Sequence, residues 1–453
     1  MKVIPCGLFK PLSKNLFLRI LILGNDGRAH AFCWKINQSP YCEHLFIAPG
    51  NAGTSEYGTN IPISINDFEQ VKNTCLENAI DYVLVSPEEP LVNGIYDFFQ
   101  NDPELKQTMI TGPSMLGAKL EGSKAFAKSF MKRNGIQTAG YGEFTLDTYE
   151  DGLTYLKDHS LPVVLKADGL AGGKGVVICQ NHIEALSEYE LMIQKSKFGE
   201  AGKKLIIEEF LAGIELSVFV LTDGKNYVIL PEAKDYKKIK EGDLGLNTGG
   251  MGAISPVPFA GDTFLAKVKE KIIEPTMQGL IKENIDYKGF IFFGLIKVGD
   301  EPVLIEYNCR MGDPETEVVL LRLKNDIMQL LISTARQELD KEKIEIDKKS
   351  AATIVAVSGG YPLEYEKGFE IDFGYLNNPN AIKHIDEKGG VKVFHAGTTD
   401  RNGHIVTNGG RVLAVSALAD NMVEAIQLSK EILDQIHFDG MYYRTDIGYE
   451  FIE

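Results

Sequence analysis

The chain has 453 residues, with 47 lysines and arginines against 63 aspartates and glutamates, a formal net charge of −16. That balance excludes a general binder of nucleic acid or of an anionic membrane surface, because both require an excess of cations. Hydrophobic residues at 44% and charged residues at 24% are ordinary for a globular chain, and the length suits about three domains of roughly 150 residues each.

Met1–Phe17 carries Lys2, Lys10 and Lys14 among short apolar stretches. It has no apolar core followed by a small-residue cleavage site, so it reads as an N-terminal extension (1–17). No apolar run reaches the ~18–20 residues that span a bilayer. Cys6, Cys33, Cys42, Cys75, Cys179 and Cys309 form no CxxC pair and no Cys/His cluster of zinc spacing. That pattern predicts reduced thiols and a cytoplasmic location.

The apolar run Leu18–Leu23 predicts a buried parallel strand, followed by the turn Gly24-Asn-Asp-Gly27 and a helix over Arg28–Ile36. Leu45–Ala48 and Tyr82–Val85 repeat the pattern. They run into the loops Pro49-Gly-Asn-Ala-Gly53 and Ser86-Pro-Glu-Glu-Pro90. Strand, loop and helix in repetition predict a doubly wound parallel-sheet domain over 18–120, whose ligands bind at the carboxyl ends of the strands.

From residue 121 the character changes to mixed α/β and α+β. Ser123–Asn134 predicts an amphipathic helix, and Pro162–Ala167 and Val176–Ile178 predict two strands around Asp168-Gly-Leu-Ala-Gly-Gly-Lys-Gly175. Strand, glycine loop, strand makes a hairpin flap and not a strand–loop–helix phosphate loop. Further strands are expected at Lys204–Glu208, Leu216–Leu221, Gly289–Val298 and Val303–Tyr307, then one helix from Asp313 to about Arg336. This unit spans 121–345, with a mobile flap subdomain at about 140–212. Leu339–Lys349 reads as a linker. Residues 346–453 read as a small α/β domain with strands Ala352–Val357, Val391–His395 and Arg411–Ser416 and a helix over Asp420–Ile436.

One constellation carries chemistry: Lys166, the loop Gly172-Gly-Lys-Gly175, Glu208-Glu-Phe-Leu211 and Glu306-Tyr-Asn308. Phosphate oxygens need cations and close backbone N–H groups, which lysines and glycines supply. Glu306 and Asn308 alternate along a strand, so both point to one face as hard oxygen donors for Mg²⁺ or Mn²⁺.

This layout resembles the ATP-grasp ligases. Within them the chain is similar to the phosphoribosylamine–glycine ligase family from about Leu21 to its end. The resemblance is carried by Ala48–Thr54, Pro87–Leu91, Leu120–Lys124, Leu165–Gly175, Asn247–Gly252, Glu306–Thr316, Phe394–Thr398 and Asn408–Val412. It implies that Lys124, Lys166, Gly172, Gly173 and Lys174 contact the ATP phosphates. Glu208 would belong to the ATP site, the backbone of Glu209, Phe210 and Leu211 would read the adenine edge, and Glu215 would hold the ribose hydroxyls. Glu306 and Asn308 would ligate the metal. Gly50, Asn51 and Gly53 would cradle the phosphoribosyl group, with Glu88 near its ribose or amine. Asp235, Lys237, Gly249, Gly250, Arg310 and Asp313 would form the acceptor side, with Lys174, Asp235 and Arg310 as catalytic residues. Arg310 suits a carboxylate through its planar fork; the alternative is a structural ion pair with Asp313. The implied substrates are ATP, glycine and 5-phosphoribosylamine, and the implied state is a monomer or weak homodimer.

The chain departs from the family pattern in its first loop. Asp26 and Ala29 stand where a glycine and a glutamate are usual, and an anion aimed at a phosphate would be unfavourable there. Leu246 replaces a usual proline, which predicts altered loop rigidity. No acidic residue lies in Gly289–Val298, so phosphates and water would complete the metal's sphere. Three rival readings are an ATP-grasp ligase with another acceptor, a non-catalytic nucleotide sensor, and a nicotinamide dehydrogenase. The last lacks a GxGxxG turn.

Overall fold

The computed structural model describes residues 17–170, 175–195, 197, 199–374 and 390–452. The extension up to Leu16's neighbour Phe17 therefore lies almost wholly outside the described residues, as do Gly172, Gly173 and Lys174.

The first apolar runs form parallel strands in the order Thr59–Asn60, Cys42–Pro49, Leu18–Gly24, Tyr82–Val85, Met109–Pro113. Successive side chains of a strand face opposite sides, and both sides are covered here. Ile20 and Ile22 pack with Ala29 and Phe32 of the helix Gly27–Ile36. Leu21 and Leu23 pack with Val71 and Cys75 of the helix Phe68–Glu77. That double burial is why the run shows no polar alternation. The helix begins at Gly27 because Asp26 caps it: its carboxylate accepts the Ala29 N–H at 2.8 Å and pairs with Arg28 at 2.6 Å. The anion expected to trouble a phosphate is thus committed to a helix start and a guanidinium.

Met109–Pro113 does not end the sheet. Pro113 and Gly112 pair with Tyr287 and Lys288 at the start of the strand Tyr287–Val298. That strand also pairs along its length with Ile214–Thr222 and with Glu301–Asn308. Nine strands make one sheet, so the units expected at 18–120 and 121–345 share a backbone ladder. Gly289 permits the junction, since a Cβ there would come within 3.1 Å of the Gly112 nitrogen.

The flap subdomain has its own antiparallel sheet, ordered Tyr141–Thr145, Lys204–Glu209, Val163–Ala167, Val176–Cys179. Phe144, Leu156, Leu165, Tyr189 and Ile207 build a separate core under it. The C-terminal sheet runs Lys234–Asp235, Gly252–Ser255, Ser350–Val357, Arg411–Ala419, Val391–His395. Its first two strands come from the middle of the chain, so Asp235 stands where this sheet meets the central one. The helix Met422–Leu433, capped by Asn421, covers it.

Two expectations change. The single helix after Asp313 is two, Glu315–Arg322 and Ile327–Arg336. Leu323 turns extended, and Asp326 caps the second helix by accepting the Met328 N–H at 2.9 Å. The linker Leu339–Lys349 is docked: Arg322 donates to the Lys349 carbonyl at 2.9 Å, Lys324 N–H to Glu345 at 2.9 Å, and Leu339 is buried.

Candidate active site

The charge-bearing residues of the site come from strands, from helices and from loops, among them the loop between Asn308 and Glu315. Glu306 lies on Glu301–Asn308, opposite Gly294. A Cβ on Gly294 would stand 3.1 Å from the Glu306 Cγ, so the glycine leaves this carboxylate its room. Glu215, Asp235, Lys237 and Glu306 line one narrow crevice with Ser217 and Gly294. Burial raises the Glu306 pKa, but Lys237, Lys166, Lys124 and Arg310 together outweigh burial and hold it below its ordinary value. The charges of four cations therefore act on one carboxylate, and one of them, Lys237, lines the same crevice.

Each cation is positioned by a different element. Lys166 lies one residue before the end of the strand Val163–Ala167 and is paired with Glu208 of Lys204–Glu209 at 2.8 Å. Lys124 opens the helix Lys124–Arg133, whose start is fixed by Asp168: that carboxylate accepts the Ala125 N–H at 2.7 Å and the Ser123 hydroxyl at 3.1 Å. Lys237 pairs with Glu215 at 2.6 Å across the crevice. Glu209 holds Gly140 at the hinge through its carboxylate, at 2.9 Å, and Phe210 beside it is exposed.

Arg310 donates to two carboxylates, Glu88 at 3.2 Å and Glu121 at 2.7 Å. Its fork is thus spread between two partners. Burial would raise Glu88, yet the Arg310 and Arg28 guanidiniums bring it down to about 2. Glu121, buried more deeply, is raised by burial against the pull of Arg310. Asp313 does not pair with Arg310. Its partner is Arg411 of the C-terminal sheet, at 3.1 Å, and Arg411 also donates to the carbonyls of Asp313 and Gly249 at 2.6 Å.

Asp235 is raised well above the usual carboxylate range by burial and then by Glu315, with Lys237 opposing. Its Oδ1 has no hydrogen-bond partner among the described residues. Gly250, at φ +119°, lets the loop pass: a Cβ would lie 2.3 Å from the Pro314 Cδ and 2.7 Å from that Oδ1. Gly250→Ala is therefore expected to displace Asp235 and to lower kcat/KM by about a hundredfold. Steady-state kinetics on a variant of unchanged Tm checks this.

The loop after Cys42–Pro49 is organised by Asn51. Its side-chain oxygen accepts the Gly53 and Thr54 N–H groups at 3.0 Å, and its amide donates to the carbonyls of His395 at 2.7 Å and Asn25 at 3.0 Å. Gly50 takes φ +73° where a Cβ would strike Asn60, and a Cβ on Gly53 would meet His30 and His395. His30 accepts the His395 N–H at 2.7 Å through Nδ1. Burial pushes His395 down to about 4, and burial and then His395 lower His30. His395 is thus neutral when folded and titrates near 6.5 when unfolded. Its folded pKa is depressed, so its contribution is complete above the unfolded value and is lost as pH falls from about 6.5 to 4. For a shift to about 4, that loss is about 2 kcal/mol by pH 5. Unfolding at pH 7.5 and pH 5 should show it, and His395→Gln should lessen the drop.

Glu306 and Asn308 share a strand face as oxygen donors. The Asn308 Nδ2, a donor, is buried without a partner among the described residues, so it is the Asn308 Oδ1 that could join the Glu306 carboxylate as a ligand. This pair fits a hard divalent cation. No group of three or more His, Cys, Asp or Glu side chains suited to a metal occurs among the described residues, so further ligands would come from phosphate and water. Among the described residues no helix is long and apolar enough to cross a membrane. The described cysteines Cys33, Cys42, Cys75, Cys179 and Cys309 are free.

Residues missed by sequence reasoning are Arg411, Glu121, Arg28 and Lys128. Arg411 lies in Asn408–Val412, a segment already singled out. Lys128 follows Lys124 by four residues on one helix face, which was a readable signal.

Family models match nearly the whole chain. The phosphoribosylglycinamide synthetase N domain matches residues 18–121, its ATP-grasp (A) domain 122–316, and its C domain 351–450. The phosphoribosylamine–glycine ligase of Haemophilus influenzae is 43% identical over 439 residues, covering 96% of this chain and 99% of that one. That of Caldanaerobacter subterraneus is 42% identical over 431 residues, covering 95% and 99%. The crystal structure of the Thermotoga maritima phosphoribosylamine–glycine ligase superposes with a TM-score of 0.80 at 34% identity, covering 95% of this chain and 100% of that one.

Proposed function

Because the chain belongs to the phosphoribosylglycinamide synthetase family, we infer that it ligates glycine to 5-phosphoribosylamine with ATP, an ATP-grasp reaction of purine biosynthesis. The products are glycinamide ribonucleotide, ADP and phosphate. The observation that carries this reading is the crevice lined by Glu215, Asp235, Lys237 and Glu306, on whose Glu306 the charges of Lys124, Lys166 and Arg310 also act. Such a cluster suits a triphosphate facing an amino-acid pocket.

The reaction divides into two displacements. A glycine carboxylate oxygen bonds to the γ-phosphorus, and the β,γ-bridging oxygen leaves with ADP. The product is glycyl phosphate. The amine of 5-phosphoribosylamine then attacks the glycyl carbonyl carbon, phosphate leaves, and the amine gives up a proton. Most of the catalysis is positioning and charge neutralisation. Lys124 and Lys166 hold phosphate oxygens, joined by Lys174 with Gly172 and Gly173, which are assigned from sequence alone. Glu208, Glu209, Phe210 and Leu211 bound the adenine side. Glu215 faces the ribose and restrains Lys237. Glu306 and Asn308 would hold Mg²⁺ or Mn²⁺, which would supply positive charge against the phosphates of ATP.

On the acceptor side Arg310 faces a carboxylate and Asp313 is held by Arg411. Gly249 and Gly250 let the backbone approach. Asp235, a carboxyl of raised pKa with one oxygen free of partners among the described residues, suits the proton released in the second displacement. Gly50, Asn51 and Gly53 with Glu88 seat the phosphoribosyl group. A cytoplasmic location and a monomeric or weakly dimeric state belong to the same reading.

The test follows ADP formation with ATP, Mg²⁺, glycine and freshly generated 5-phosphoribosylamine, omitting each in turn. ADP formation is expected to depend on glycine. Equal rates without glycine would refute the assignment.

A further inference from the structure

Lys128 lies on Lys124–Arg133 with a side chain only 2% exposed. Its ammonium donates to Glu208 Oε2 at 3.1 Å and to Thr138 Oγ1 at 2.7 Å. The same Glu208 oxygen receives Lys166 at 2.8 Å. Two ammonium groups thus share one oxygen of a carboxylate that is itself 3% exposed. The other oxygen, Oε1, has no hydrogen-bond partner among the described residues. Thr138 passes the connection on, donating to the Leu304 carbonyl at 2.6 Å, two residues before Glu306.

While its ammonium rests on Glu208, Lys166 has at most two of its three N–H donors left for a phosphate, and a full transfer to the phosphate draws it away from Glu208. Withdrawing it from a buried carboxylate with no other cation would strand that charge, which is strongly unfavourable. Here a second cation remains. Lys128 is tethered to Thr138 and enclosed by the helix and the flap sheet, with the Tyr141 ring 5.9 Å away. Both lysines act on Glu306, so the Thr138 tether on Lys128 is what distinguishes them. Of the two, Lys166 is the one placed to move toward a ligand. Burial pushes Lys128 down to about 8, with Glu208 opposing, so it stays mostly charged at neutral pH.

We propose that Lys128 is the resident counter-ion of Glu208, a positioning residue that lets Lys166 exchange Glu208 for a phosphate oxygen of ATP. The inference rests on the ATP site described under the proposed function. It extends that reading to a residue that touches no substrate.

The experiment measures binding of the β,γ-imido analogue of ATP with Mg²⁺ by calorimetry, and steady-state kinetics beside it. Lys128→Met is expected to weaken the analogue about tenfold or more, because Glu208 then retains Lys166. The KM for glycine should stay within about twofold. Lys128→Arg keeps the charge and should restore most of the affinity. The double variant Lys128→Met/Glu208→Gln should bind within about threefold of Glu208→Gln alone, a coupling that a merely structural lysine would not show. Should Lys128→Met fail to fold, Lys128→Gln repeats the measurement, since it keeps a donor and loses the charge. Unchanged affinity in either neutral variant, or strictly additive losses in the cycle, overturns the proposal. Failure of the unaltered protein to bind the analogue overturns the ATP site itself, and the proposal with it.

Discussion

Replacing Glu306 by glutamine lowers turnover by about a hundredfold to a thousandfold, the range seen when one charge-stabilising group is removed from an active site. The substitution keeps the volume and removes the anion that Lys124, Lys166, Lys237 and Arg310 surround. Those cations are then free to face phosphates without a competing carboxylate, so metal-free ATP should bind at least as well as before. Turnover falls because the proposed pair with Asn308 no longer offers a charged oxygen to the cation. The result to look for is therefore a split, with kcat collapsing while nucleotide affinity holds. A kcat within about tenfold of the parent would remove Glu306 from the metal's sphere.

Arg310→Met is the second large effect, and it falls on stability as well as activity. Arg310 is the cation for Glu121, whose side chain is 6% exposed, and for the more open Glu88. Among the described residues Glu121 otherwise receives only the Cys309 N–H at 2.8 Å and its thiol at 3.2 Å. Removing one member of such a network costs about 3–5 kcal/mol, because a buried carboxylate is left without its partner. Arg310→Lys should recover little of this, since an ammonium lacks the fork that spans both acids. Adding Glu121→Gln to Arg310→Met should recover much of it. Urea unfolding of the three variants decides the matter. A single-variant loss under about 1 kcal/mol would show the network to be idle.

The mixed multidomain α/β fold was legible because its signals are local. Leu18–Leu23 and Tyr82–Val85 are apolar without alternation, and a strand covered on both sides has no other way to look. The flap hairpin was legible because its glycines fall between two short apolar runs. What escaped were partnerships across long separations. Nothing in periodicity joins Arg411 to Asp313, or Gly112 to Lys288. These contacts come from topology. Two misses had local signs. Asp26 precedes a helix as caps do, yet it read as an unwelcome anion. Asp326 marks a helix start inside what read as one long helix. The site followed the same division. Of the residues named by motif, Glu215, Asp235, Lys237 and Glu306 line the crevice, whereas the pairings of Glu121 with Arg310, Lys128 with Glu208 and Arg411 with Asp313 join distant parts of the chain and are found only in three dimensions.

The strand Tyr287–Val298 pairs at one end with Gly112 and Pro113 and along its length with the strands bearing Glu215 and Glu306. A chimera that takes residues 17–121 from a relative would sever and remake this seam. Donors whose backbone follows the same path at Gly112 should graft with activity, because Gly289 approaches that backbone closely. Donors whose path is displaced there should fold as two ill-matched halves, however well each half suits its own ligand.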